Sequence, residues 1–255
     1  MYGLENKLFE QLEKLKQQYG LKGIKAEFEA EGSSFRDAVK LRRLTSRIGV
    51  KLFLKIGGVE AVTDIKNSVD IGVDGLIAPM VESKFGVRKF VQASKNIYKK
   101  TKLQLILNIE TKSAVNQIDE ILGYAKDKID GITIGRTDLS ESYFDENIHP
   151  DTNFILNILE NVGRKIKHYN LQACIGGGIS ARSLEIFRKH KKILRLFDKI
   201  ETRKVILPAQ IILNNPNALR AALKFEELYI LSKKEINDLF IEAEIARLTQ
   251  LERRL

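Results

Sequence analysis

The chain has 255 residues, 44% of them hydrophobic, with a net charge of +10 and a single cysteine. That length and apolar content suit one continuous core of the size of a (β/α) barrel, and the lone Cys174 excludes an internal disulfide, a cysteine-built zinc site and an iron–sulfur cluster, as expected of a cytoplasmic protein. The basic excess does not read as nucleic-acid binding, because Lys and Arg are scattered beside Glu and Asp and the patches at 99–102 and 188–192 carry no aromatic partner for base stacking; what it leaves is affinity for a small anionic substrate.

Residues 1–20 alternate charges with Leu4, Leu8, Leu12 and Leu15. This lacks the unbroken apolar stretch of a signal peptide or membrane span and predicts an amphipathic surface helix. Beyond it, short β-branched runs at 25–31, 51–56, 75–80, 104–110, 131–134, 172–179 and 199–207 alternate with segments of helical period. Strand and helix in strict succession mean parallel strands with crossover helices, the (β/α)8 TIM-barrel pattern. Seven strands are one short of closure, so the eighth is irregular, or the N-terminal helix plugs its place. A doubly wound open sheet is the alternative, but no Gly-x-Gly-x-x-Gly follows any strand. After the last strand, 218–231 reads as a barrel-covering helix and 233–255 as a long C-terminal helix. On the latter, Ile241, Ile245, Leu248, Leu251 and Leu255 recur at intervals of three and four. That stripe needs a cover, which predicts a homo-oligomer. The alternative is packing over the barrel bottom or on the N-terminal helix. Nothing marks a second domain, so 1–255 reads as one.

The strands alternate. Ala26, Phe28 and Ala30 form one apolar set, which turns Glu27, Glu29 and Glu31 inward; Leu52, Leu54 and Ile56 face out, which turns Lys51, Phe53 and Lys55 in. Asn108 and Glu110 face in on the fourth strand, and Glu201 and Arg203 on the seventh. A sheet exposed on one face alternates likewise, but parallel sheets are covered on both, so a charged lumen is expected. Such charges must be paired or bound. Glu27 and Glu29 with Lys51 suit structural pairs. Glu31, Lys55, Glu110 and Arg203 stand at strand ends where barrel chemistry sits. Arg203 is either a partner of Glu201 or an anion contact. The run 175–180, ending in three glycines and Ser180, is either an anion-binding turn or a tight turn without a ligand.

Two segments carry the chemistry: Leu107-Asn108-Ile109-Glu110-Thr111 and Ile134-Gly135-Arg136-Thr137-Asp138-Leu139-Ser140. Each sets a carboxylate at the end of a strand, and the strands are consecutive. Two hard oxygen ligands, completed by water and substrate oxygens, suit Mg2+ or Mn2+. As spacing alone the pair is also compatible with a helix cap and a surface residue.

These segments, together with Val69-Asp70-Ile71-Gly72-Val73-Asp74-Gly75-Leu76-Ile77-Ala78-Pro79-Met80-Val81-Glu82-Ser83 and the preceding Asp130-Gly131-Ile132-Thr133, resemble the HpcH/HpaI aldolase and citrate lyase family from about residue 25 to 180. The resemblance implies that Glu110 and Asp138 hold the metal, which binds a keto acid through its carboxylate and carbonyl oxygens. Within the matching segments Pro79 and Arg136 are candidates for substrate contact, and Gly57 and Gly58, after Lys55, form the better substrate loop. The chain departs from the family in three places. Lys55 stands where an arginine is usual, a charge without the bidentate fork. Asn108 replaces a glutamine but can make the same kind of hydrogen bond. The usual histidine base is absent, since Glu31 is followed by Gly32 and none of His149, His168 and His190 lies at a strand end. Glu31 or a metal-bound water is then the candidate acid/base and Lys55 the group facing the enolate. The expected function is a metal-dependent carbon–carbon lyase acting on a 2-oxo acid or related acyl substrate. The alternatives are a phosphoenolpyruvate-using enzyme of the same superfamily, with Arg203 or the glycine run holding the phosphate, and a catalytically silent ligand-binding barrel.

Overall fold

A computed structural model describes residues 3–28, 30–99 and 101–254. The inward placement expected of Glu29, the stripe position of Leu255, Lys100 of one basic patch, the side chain of Lys191 in the other and the first two residues of the 1–20 helix lie outside what it describes. The chain runs α1 (Gly3–Tyr19), β1 (Gly23–Glu27), α2 (Phe35–Arg47), β2 (Leu52–Lys55), α3 (Val62–Ile71), β3 (Gly75–Ala78), α4 (Lys84–Tyr98) and β4 (Gln104–Ile109). It continues through α5 (Lys112–Asn116), α6 (Ile118–Ala125), β5 (Gly131–Gly135), α7 (Arg136–Glu141), α8 (Asn153–His168), β6 (Gln172–Gly176), α9 (Ala181–Lys189) and α10 (Lys191–Leu196). It ends with β7 (Lys199–Glu201), β8 (Val205–Pro208), α11 (Ala209–Asn214) and α12 (Pro216–Glu252).

The eight strands close into a barrel in sequence order. β1 to β7 pair in parallel, as the alternation of strand and helix predicts, but β8 is antiparallel to both of its neighbours. The missing strand is thus neither absent nor replaced by the N-terminal helix. It is the second half of the run at 199–207, which folds back on itself through Thr202, Arg203 and Lys204. Thr202 closes this turn: its N–H donates to the Val205 carbonyl at 2.9 Å and its Oγ1 accepts from the Val205 N–H at 3.1 Å. A strand–helix–strand crossover needs a dozen or more residues and a turn needs three, so the reversal is what a segment this short allows.

At the barrel floor, three aspartates that precede strands tie each new strand to the one before. Asp74, Asp130 and Asp198 accept hydrogen bonds from the N–H groups of Leu52, Leu105 and Ala173, each at 2.8 Å. The lower lumen is apolar, filled by Phe53, Ile77 and Ile206 with Ile106 against them. Gly23 and Gly75 make room for the Phe53 ring, since a Cβ on either would stand 2.5 Å from it. The upper lumen carries the charges. Lys51, expected inside, instead lies exposed at the floor with its ammonium 2.8 Å from the Gln104 side chain.

Because β8 runs downward, the chain leaves it at the floor and α12 climbs past the mouth. The two helices expected at 218–231 and 233–255 are this one helix of 37 residues, roughly 55 Å long. No Gly or Pro interrupts it, and Ser232, at the expected break, donates to the Tyr229 carbonyl at 2.8 Å within the helix. Asn215 caps its start, ahead of Pro216 at the first turn. Its lower half buries Ala218, Leu219, Ala222, Phe225 and Leu228, and it packs against α1, which buries Leu8, Leu12 and Leu15. Gln11 of α1 donates to the Ala221 carbonyl at 2.7 Å. Among the described residues no buried side chain follows Ser232 in α12. No helix among them is long and apolar enough to cross a membrane.

Candidate active site

At the mouth, a cavity of about 420 Å3 collects Lys55, Asn108, Glu110, Asp138 and Arg203, all expected at the site, together with Lys25, Glu27, Thr133 and Glu201. Glu110 stands one residue beyond β4 and is buried. Its Oε1 accepts from the Met80 N–H and its Oε2 from Asn108 Nδ2, both at 3.0 Å. Met80 holds a left-handed backbone (φ 48°), the turn that aims this N–H at the carboxylate. Gly135 faces it from β5, where a Cβ would come within 2.6 Å of Glu110 Oε2. Asp138 lies in the first turn of α7, half-buried, on the next strand's loop.

Lys55 Nζ is 3.0 Å from Glu27 Oε1 and 4.0 Å from Glu110 Oε1. Burial alone would lower its pKa, but Glu110, Glu27 and Asp138 together outweigh that and raise it, so Lys55 stays protonated. Burial pushes the Glu110 carboxyl up, with Lys55 and the Met80 N–H pulling the other way. A layer below, Lys25 meets Glu201 at 2.5 Å. Of the two readings of Arg203, the salt bridge to Glu201 is not made: Glu201 is taken by Lys25, and Arg203 stands exposed on the β7–β8 turn. Neither Lys25 nor Thr133 stands out in the sequence; only the closed barrel, which sets Lys25 of β1 across from β7, shows that they face the cavity.

Five of the expected site residues are elsewhere. Glu31 lies beyond the end of β1, ion-paired with buried Lys204 in a neighbouring cavity. Gly57, Gly58 and Pro79 do not line the cavity around Glu110. Arg136 is fully buried, and its guanidinium donates to the carbonyls of Gly176 (3.3 Å), Pro150 (3.0 Å) and Gly177 (2.8 Å) and to Asp151 Oδ1 (2.7 Å). The glycine run that Arg136 braces does line the cavity around Glu110, through Gly176, Gly177 and Gly178, with Gly177 and Gly178 at positive φ and Gly177 so close to the Arg136 and Thr137 amides that a Cβ would stand 2.6 Å from both. Burial and Glu201 hold the Cys174 thiol well above its ordinary pKa, which removes it as a nucleophile.

Among the described residues no three His, Cys, Asp or Glu side chains converge as a ready-made metal cage. The donor set nonetheless fits a hard divalent cation. Glu110 and Asp138 supply carboxylate oxygens, and two buried oxygens beneath them, Asn108 Oδ1 and Thr133 Oγ1, have no hydrogen-bond partner.

Residues 34–174 match the family model described as HpcH/HpaI aldolase/citrate lyase. A search of curated proteins finds no match. Among solved structures, an HpcH/HpaI aldolase from Desulfitobacterium hafniense DCB-2 superposes with a TM-score of 0.59 at 19% identity, covering 74% of this chain and 78% of that one. An HpcH/HpaI aldolase/citrate lyase family protein from Burkholderia cenocepacia J2315 gives 0.62 at 16%, covering 86% and 89%. RipC from Yersinia pestis gives 0.53 at 18%, covering 80% and 87%. At these identities the likeness speaks for the fold alone.

Removing the guanidinium of Arg136 takes the donor from Asp151 Oδ1, leaving that carboxylate only the Ser183 hydroxyl, and takes its hydrogen bonds from three carbonyls. Arg136→Met is expected to cost about 3–5 kcal/mol of unfolding free energy, read by urea titration; stability within about 1 kcal/mol of the parent would show that the brace is dispensable.

Proposed function

The chain belongs to the HpcH/HpaI aldolase/citrate lyase family, and from that premise we propose that it is a carbon–carbon lyase which holds Mg2+ or Mn2+ between Glu110 and Asp138 and acts on a 2-oxo acid or related small anionic substrate. One observation carries the reading. Lys25 is paired with Glu201, and Lys55 is shared between Glu27 at 3.0 Å and Glu110 at 4.0 Å, which leaves one cation for the three carboxylates of Glu27, Glu110 and Asp138, a surplus of negative charge that a divalent cation would relieve.

When bound, such an ion draws charge from the carbonyl and carboxylate oxygens of the 2-oxo acid. Cleavage breaks the bond between the hydroxyl-bearing carbon and the carbon next to the ketone. The bonding pair moves toward the ketone oxygen to give the enolate, the hydroxyl proton passes to a solvent water in the open cavity as the aldehyde forms, and the enolate carbon then takes a proton back from water to give the 2-oxo acid product. Lys55 is the fixed cation nearest Glu110 and, being protonated, faces the charge that develops on that oxygen. Asn108 orients Glu110 through its amide and keeps its own carbonyl oxygen free toward the cavity. Glu31, locked to Lys204 outside this cavity, has no part in this scheme.

We also propose a homo-oligomer joined through the upper half of α12. Ile241, Ile245, Leu248 and Leu251 are exposed by 55%, 55%, 59% and 47% on a helix that nothing covers among the described residues. An apolar stripe of that length on a projecting helix calls for a partner, and a second copy of the same helix offers matching spacing.

Calorimetric titration with Mn2+ is expected to show binding to the parent and its loss in Glu110→Gln and in Asp138→Asn, with unchanged circular dichroism. Equal affinity in all three would remove the site, and no affinity in the parent would favour a silent barrel. In Lys55→Met, turnover of pyruvate with an aldehyde should fall by the equivalent of about 2–4 kcal/mol; an unchanged rate would leave Lys55 only its pairing with Glu27. Light scattering should give a multiple of 29.0 kDa that drops when the chain is ended after Asp238, whereas a monodisperse 29.0 kDa parent would overturn the oligomer.

A further inference from the structure

A second cavity, of about 680 Å3, lies between α12 and the barrel mouth and shares Ala30, Arg203 and Glu226 with the cavity around Glu110. Most of its charges are already matched. Lys204 is paired with Glu31, Lys233 with Asp37 at 3.1 Å, and Lys234 with Asp238 at 2.5 Å. Two are not: among the described residues neither the Arg203 guanidinium nor the Glu226 carboxylate forms an ion pair or side-chain hydrogen bond. The cavity therefore offers one unpaired cation and one unpaired anion.

Two buried polar atoms in its wall are also unpartnered. Tyr229 is 2% exposed, and its hydroxyl lies beside the Ser33 hydroxyl without reaching good hydrogen-bond geometry, while Ser33 donates to Glu31 Oε2 at 3.4 Å. Glu31 Oε1 is likewise buried and free, while Oε2 takes both Ser33 and Lys204. Burial pushes the Tyr229 hydroxyl up, so it remains a donor at neutral pH. Leaving a donor and a carboxylate oxygen dry and unpaired is costly, and a ligand with complementary groups removes that cost.

We propose that this cavity binds a small zwitterion of the amino-acid class carrying a side-chain hydroxyl or amide. Its carboxylate meets Arg203, its ammonium meets Glu226, and its side chain donates to Glu31 Oε1 and accepts from Tyr229. The inference goes beyond the lyase reading and does not depend on it, since Glu110 and Asp138 do not line this cavity.

The test is calorimetric titration of the full-length protein with L-serine, L-asparagine and L-glutamine singly, against lactate, which lacks the ammonium, and ethanolamine, which lacks the carboxylate. At least one zwitterion should bind about tenfold or more tightly than either control. That affinity should fall about tenfold or more in Arg203→Gln and in Glu226→Gln, both at exposed or half-buried positions where the fold tolerates the change, and should persist in Glu110→Gln. No zwitterion bound more tightly than the controls overturns the proposal. So does affinity retained in both Arg203→Gln and Glu226→Gln, or lost in Glu110→Gln, which would put the ligand in the neighbouring cavity.

Discussion

A charge inside a closed barrel has no water to fall back on, so each must find an opposite charge or a ligand. The upper lumen obeys this in two layers. Lys25 of β1 reaches Glu201 of β7 on one side, and Lys55 of β2 reaches Glu27 of β1 on the other. Lys55 and Glu27 stand opposite each other on neighbouring strands, but the Lys25–Glu201 pair depends on closure: in an open sheet β1 and β7 would be far apart. Lys55 also reaches Glu110 at 4.0 Å, so once these contacts are made the lumen's surplus of negative charge falls on the carboxylates at the ends of β4 and β5, which the fold brings to the mouth without a dedicated cage of ligands among the described residues.

The reversal of β8 shapes everything on that side of the mouth. It replaces a helix with a three-residue turn, which puts Arg203 and Lys204 on the rim, and it releases the chain at the floor. α12 must then rise along β8 and β1, and its middle turns become a wall. Lys204 is held there at 2% exposure by Glu31 and by the face of Tyr229, 4.6 Å from its ammonium. Burial lowers its pKa and Glu31 works against that. The ion pair is thus the seam between the turn, the loop after β1 and α12.

The barrel and its charged lumen were legible because both rest on short-range pattern: strand runs at regular spacing, and alternation within them. The carboxylate pair was legible because strand ends and the following loops are local features too. What alternation could not show is where a run turns. The segment 199–207 is apolar enough for one strand, and nothing at Thr202 and Arg203 marks a break as Gly or Pro would. The error spread from there, leaving seven strands instead of eight and a pairing of Arg203 with Glu201 as one of two open readings. The same limit applies to Glu31. Alternation carried past the true end of β1 at Glu27 assigns it to the lumen, whereas the backbone has already left the sheet. Arg136 misled in another way, since a motif shows that a residue matters and not whether it touches a ligand or braces the turn that does.

Lysine at position 55 can be weighed on the same physical grounds. An arginine fork makes two parallel hydrogen bonds and needs two oxygens set for it. In this lumen the oxygens nearest the position belong to different residues, Glu27 at 3.0 Å and Glu110 at 4.0 Å. A point charge on a flexible stem suits two unequal partners better than a planar fork does, and Asn108, shorter than glutamine, still reaches Glu110 at 3.0 Å because both leave the same strand two residues apart. Gly135 opposite leaves no room for Glu110 to swing away from that amide. The two departures from the family pattern are therefore compatible with one fixed carboxylate, held from below by Asn108, from the side by the Met80 amide and across the lumen by Lys55. What they give up is the rigid second hydrogen bond of a guanidinium, and with it some of the geometric discrimination that a fork imposes on a bound carboxylate.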